Sequence, residues 1–221
     1  MEPVTRKEVL LARVRAALRG HGGADTPDSA AARVPPEPAE SPERISLFRN
    51  RFEAIGGTFL EGASPEAVLP ALAQALRAEG VTSLLFPRGD DAARILGETL
   101  AIVGPFRIVS PDELRLPLPP VTAGIQTAEF AIAETGTIVQ TSRGGKTLLP
   151  GLLTDIHVAI LFPGIFHAAM EECLEALSAD PPRNISCITG PSRTADIELT
   201  LTIGVHGPRG VIAVLTSPSP G

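Results

Sequence analysis

Gly190-Pro191-Ser192-Arg193-Thr194-Ala195-Asp196-Ile197-Glu198 gathers a turn, hydroxyls, a guanidinium and two carboxylates into one short run, and Gly204-Val205-His206-Gly207-Pro208 follows closely. The run comes after Ile185-Ser186-Cys187-Ile188-Thr189, which reads as a buried strand. A strand that ends in Gly190-Pro191-Ser192 and leads into the start of a helix leaves backbone N–H groups unpaired, and that is anion-binding geometry. Arg193 is the natural clamp for a carboxylate or phosphate, because a guanidinium offers a bidentate fork; an ion pair with Asp196 or Glu198 is the plainer role and does not exclude the first. Ser192 and Thr194 either cap the helix or bind the anion. His206 stands between Gly204 and Gly207, residues that permit close backbone approach and a sharp turn. It either lines a site or makes a structural hydrogen bond across the turn.

Glu134 ends the apolar stretch Phe130-Ala131-Ile132-Ala133 and precedes Thr135-Gly136. A carboxylate there is expected to be partly desolvated, which suits a general base or nucleophile; the alternative is a carboxylate that binds turn amides. Gly136, Gly190 and Gly207 are the expected structural turns. Arg143-Gly144-Gly145-Lys146-Thr147 resembles the end of a phosphate-binding loop, but Gln140 stands where that pattern needs glycine. It also needs a helix next, which Leu148-Leu149-Pro150-Gly151 is not expected to supply. What is left is a basic loop beside a site or a plain solvated turn. His21, His157 and His167 are scattered: His21 lies in a linker, His157 starts a strand and His167 a helix. No metal site is expected.

These residues need a scaffold, and the apolar spacing describes one. Thr5-Arg6-Lys7-Glu8 is a capping box that opens a helix within residues 1–20, and the Pro-, Ala- and Gly-rich residues 21–40 read as a flexible linker. A domain over 41–221 follows. Ser41-Pro42 opens a helix closed by Gly56-Gly57, Ser64-Pro65 opens another closed by Gly80, and Asp90 or Asp91 opens a third. Strands are expected at 58–60, 81–86, 106–109, 157–162, 185–189 and 211–215, with a helix over 166–177. Pro117 to Pro120 punctuate the middle, and residues 126–141 read as extended chain broken at Glu134-Thr135-Gly136. The alternation predicts an α/β fold, a mostly parallel sheet flanked by helices with a β-rich insertion.

Composition narrows the partners. The chain of 221 residues has a formal charge of −6, no Trp and no Tyr, which argues against a nucleic-acid partner and leaves a small anionic ligand or another protein. Its two cysteines, Cys173 and Cys187, make neither a four-thiolate cluster site nor a CxxC motif. Both read as buried free thiols of a reducing compartment. No apolar run reaches membrane-spanning length and the N-terminus does not read as a signal peptide, so a cytoplasmic protein is expected.

Ala133-Glu134-Thr135-Gly136-Thr137, the run from Gly190 to Glu198, and Gly204-Val205-His206-Gly207-Pro208, in that order, resemble the lactate-utilization (LUD) domain family, over roughly residues 41 to 216. The resemblance implies a fold like the sugar-phosphate isomerase and coenzyme A transferase superfamily. It also implies a part in oxidising L-lactate to pyruvate, with partner proteins that carry iron–sulfur clusters and no cofactor in this chain. In such a reaction Arg193 would serve as carboxylate clamp and Glu134 or His206 as base. The competing expectations are an enzyme that acts alone on a coenzyme A thioester or sugar phosphate through Glu134, and a non-catalytic scaffold subunit.

Overall fold

A serine or aspartate marks the start of each long helix in the first half of the body. In a computed structural model the structure describes residues 41–109, 122–195, 201–203 and 207–217, with the backbone alone for 193–195 and 201–203. The expected N-terminal helix, the linker and the segment from Pro117 to Pro120 lie outside the described residues. In chain order the elements are α1 (Pro42–Ala54), β1 (Thr58–Gly62), α2 (Pro65–Ala78), β2 (Ser83–Leu85), α3 (Asp91–Val103) and β3 (Arg107–Val109). β4 (Thr122–Thr127), β5 (Phe130–Ile132), β6 (Thr137–Thr141) and a 3-10 turn at Arg143–Gly145 come next, then α4 (Leu149–Leu153), β7 (Ile156–Leu161) and β8 (Phe166–His167). α5 (Met170–Ser178), β9 (Ile185–Ile188), β10 (Arg193–Ala195), β11 (Leu201–Ile203) and β12 (Gly210–Thr216) complete the series. Ser41 Oγ accepts from the Arg44 N–H at α1, and Asp90 Oδ1 accepts from the Ala93 N–H at α3. Both satisfy amides that have no partner within the helix.

Six strands in the order β1-β12-β7-β4-β2-β3 form a sheet in which every pairing is parallel. β7 and β12 are its buried centre and carry apolar side chains on both faces, as covered parallel strands must. On one face Val158 and Ile160 pack with Leu72, Leu76 and Leu100 of α2 and α3. On the other, Ala159, Leu161 and Ala213 pack with Phe48 and Phe52 of α1 and with Ile138 and Ile188. Those last two belong to the inserted second sheet, in the order β8-β5-β6-β9. The expected α/β architecture with a β-rich insertion is therefore present.

Four local expectations are corrected. Residues 166–167 pair with β5 as β8, and the helix starts only at Met170, so His167 is a strand residue. The parallel pairing and the burial of both side chains outweigh helical spacing. A helix does follow the glycine loop: α4 carries Pro150 in its first turn, where proline is tolerated. Arg193 does not begin a helix but pairs with Ile203 across β10 and β11, so the expected helix-end anion site does not form there. β9 is an edge strand and mostly exposed, which leaves Cys187 exposed while Cys173, on the inner face of α5, is buried. Burial pushes the Cys173 thiol up to about 12, so it stays protonated at neutral pH.

Candidate functional site

Three stretches far apart in sequence meet at the C-terminal end of α1. The β5–β6 turn presses Gly136 against it: a Cβ on Gly136 would lie 2.5 Å from Phe52 N and 2.8 Å from Phe52 Cα, and φ is +67°. Only glycine fits both the contact and the left-handed backbone. Gly190, at φ +78°, packs on Ile55 more loosely: a Cβ there would lie 3.1 Å from Ile55 Cγ1 and 3.2 Å from its carbonyl oxygen. Pro208 joins them, because its carbonyl accepts from the Ser192 N–H at 2.8 Å, and Gly207 stands over the Ser192 side chain. The two C-terminal motifs are thus stitched together just before the chain enters β12.

A line of hydroxyls ties the turns. Thr137 Oγ1 lies 2.7 Å from Thr135 Oγ1 and 2.8 Å from Thr189 Oγ1. Thr137 is buried while Thr135 and Thr189 reach solvent, so the chain joins two exposed hydroxyls through a buried one. Rotating hydroxyls can donate or accept at either end, which suits a small polar ligand. Local sequence does not single out these threonines as site residues; the polar residues within the buried strand Thr137-Ile138-Val139-Gln140-Thr141 are the available signal.

Glu134 adjoins this line but is exposed, which corrects the expectation of a partly desolvated carboxylate. Its Oε1 accepts from the Met170 N–H at 3.2 Å, and its own N–H donates to the Ala168 carbonyl. The carboxylate therefore caps α5, and one of its oxygens makes no other hydrogen bond within the described residues. Arg193 and Thr194 contribute backbone to β10, directly after the stitched Ser192. His206 lies outside the described residues. Arg143 is engaged elsewhere, 3.0 Å from Glu129 and donating to the Asp180 carbonyl, which makes its loop a held turn.

Two further features lie apart from these turns. Buried Asp90, at the end of the loop after β2, accepts from both the N–H and the hydroxyl of Thr127, where β4 ends. It fixes the point at which the chain changes direction across the sheet. An apolar cavity of about 190 Å³ opens at the carboxyl ends of β7 and β12, lined by Pro65, Ile95, Leu96, Phe162 and Val214. Gly207-Pro208 enters β12 at its opposite end, so the cavity is no part of the turn cluster.

The inserted sheet and these converging turns fall within the stretch that is similar to known proteins. Residues 109–216 match the model of the LUD domain. Proteins named lactate utilization protein C are among the relatives of this chain. That of an Exiguobacterium species is 37% identical over 98 residues, which are 42% of this chain and 43% of the relative. That of Halalkalibacterium halodurans is 41% identical over 91 residues, 38% of this chain and 40% of the relative. The matched stretch thus spans less than half of either relative. The protein of the same name from Deinococcus radiodurans is 29% identical over 80% of this chain and 82% of its own length. A crystal structure of a DUF162 family protein from Deinococcus radiodurans superposes with a TM-score of 0.55 at 20% identity, over 79% of this chain and 97% of that one, a likeness of fold.

Proposed function

We propose that this chain is the cluster-free component of a cytoplasmic system that oxidises L-lactate to pyruvate together with iron–sulfur proteins. The observation that carries the reading is the similarity to proteins named lactate utilization protein C, in a chain whose family stretch contains the converging turns. Oxidation of the hydroxy acid removes two electrons and two protons, so it needs a carboxylate clamp, a base and an electron acceptor. Arg193 supplies the clamp beside Ser192 and Thr194. Glu134 or His206 takes a proton, and the Thr135–Thr137–Thr189 line orients the hydroxyl end. With two cysteines in the whole chain, the electrons pass to clusters on the partners. Among the described residues no helix is long and apolar enough to cross a membrane.

The test is an anaerobic pull-down of the tagged chain from its own cells, assayed for L-lactate-dependent dye reduction. Activity with iron-bearing partners, lowered at least tenfold by Arg193→Ala, is the expected result. Full activity in Arg193→Ala, His206→Ala and Glu134→Gln alike would leave only a scaffold role. The cavity at the carboxyl ends of β7 and β12 favours a second reading, an enzyme acting alone on an acyl thioester; its separation from the turn cluster ranks it below the first. Turnover of a thioester by the isolated chain would reverse that order.

A further inference from the structure

The turn cluster makes no use of the apolar cavity at the carboxyl ends of β7 and β12. At about 190 Å³ it is larger than the water-sized voids of a packed interior. Ile160 and Val214, partners in register on β7 and β12, line it together with Leu96 of α3, and all three are at most 5% exposed. Ile95, 49% exposed, stands where the cavity opens to solvent. Ligands of open α/β sheets bind outside the carboxyl ends of the strands, and a cavity with apolar walls stays dry and accepts hydrocarbon. One of about 150 Å³ holds benzene, so this one has room for a chain of about six carbons.

A polar side chain lines the cavity as well. Thr216, the last residue of β12, is 4% exposed, and among the described residues its hydroxyl donates only to the neighbouring Ser217 carbonyl, at 3.3 Å. That is long for an O–H···O bond, so the hydroxyl is free to turn to a better acceptor. Thr216 also lines a second hollow, of about 380 Å³, where Glu61 and Gly62 at the end of β1 meet Pro42 and Ile45 of α1. The two hollows therefore meet at one hydroxyl. Among the described residues Glu61 is the one charged side chain that lines either of them, and it is paired with Arg49. A ligand carboxylate would lose its water here with no lining cation to meet it, whereas a neutral carbonyl needs only the hydroxyl.

We propose that this cavity binds a short acyl group, its aliphatic chain against Leu96, Ile160 and Val214 and its neutral carbonyl accepting from the Thr216 hydroxyl, with the rest of the ligand in the second hollow. The site stands on the cavity and on Thr216, and it holds whether or not the chain takes part in lactate oxidation. The thioester enzyme ranked second above would be one use of it.

Titration of the full chain with hexanamide, followed in the methyl spectra of isoleucine, leucine and valine, tests this. Acetamide, which lacks the chain, and hexanoate, which carries a charge, are the controls. The expected result is a saturable shift of the Leu96, Ile160 and Val214 methyls with hexanamide, and binding weaker by about tenfold or more for both controls. Thr216→Val keeps the shape and removes the hydroxyl, so it should weaken hexanamide about fivefold and leave the binding of benzene unchanged. Ala92→Leu, which fills the cavity from α3, should abolish both; if that variant does not fold, the wild-type and Thr216→Val titrations still decide. Methyls indifferent to hexanamide would overturn the proposal, as would hexanoate binding as tightly as hexanamide, or hexanamide binding Thr216→Val as tightly as the wild type. Loss of the lactate reading in the pull-down changes none of these shifts, and a hexanoyl thioester bound without turnover leaves the site standing while the thioester enzyme falls.

Discussion

At the scale of single residues, His157 couples the fold to pH. Burial pushes its pKa from the ordinary 6.5 down to about 4, and its side-chain partner Gln140 carries no charge. The unfolded chain therefore takes up the proton first as pH falls. Stability is complete above about pH 6.5 and declines toward pH 4, by about 3 kcal/mol in all. His167 is pushed down by burial too, against the pull of Glu172, and acts in the same direction. Urea midpoints measured across this range should fall with pH in the wild type and fall less in His157→Gln; equal slopes would contradict the assignment. Gly124 acts through space instead. A Cβ there would collide with the Pro150 carbonyl and come within 2.8 Å of Thr154 Oγ1. Gly124→Ala should lift α4 from the sheet at a cost of about 1–3 kcal/mol, read from the same urea curves.

At the scale of elements, what was legible in the sequence is what local chemistry decides. Ser41, Ser64 and Asp90 announce α1, α2 and α3 because the start of a helix is set within a few residues, by the N-cap residue and, in α1 and α2, by a first-turn proline. β8, β10 and the exposure of β9 were not legible, since each depends on a strand supplied from elsewhere in the chain. The same holds within the candidate site. Gly136 and Gly190 were readable as turns, but the hydroxyl line and the cavity exist only once β6, β7, β9 and β12 are assembled. Glu172 shows how such an assembly is held. Its Oε2 accepts from the Ala168 N–H at 2.9 Å and from Arg44 of α1 at 3.3 Å, and it lies 3.5 Å from His167 Nδ1. The Glu172 and Arg44 side chains are partly exposed to solvent, so the expected loss in Glu172→Ala is only about 1 kcal/mol. It should be visible as faster amide exchange in α5, and Glu172→Gln, which keeps an oxygen for Ala168, should restore most of the protection.

At the scale of the molecule, the inserted sheet keeps only a small apolar cluster to itself, Ile132 and Val139 against Cys173 of α5, and shares its larger core. Ile138 and Ile188 share one core with Ala159, Leu161, Ala213 and Leu215 of the parallel sheet, and α1 supplies the residues between them. Phe48 is the pivot: its ring centroid lies 5.4 Å from that of Phe52 and 5.4 Å from that of Phe166, with Phe59 at 6.1 Å. A side chain that touches both layers makes their stabilities one quantity, because neither can expose its half of the core without stranding the other. Phe48→Ala is therefore expected to cost about 3–5 kcal/mol. The whole of that cost should appear equally in amide protection of β6, in the insertion, and of β12, at the centre of the parallel sheet. If protection falls in β6 while β12 keeps its wild-type value, the insertion opens on its own. The converging turns would then be carried by a separately melting unit, and ligand binding at Thr135, Thr189 and Ser192 would stabilise the insertion alone.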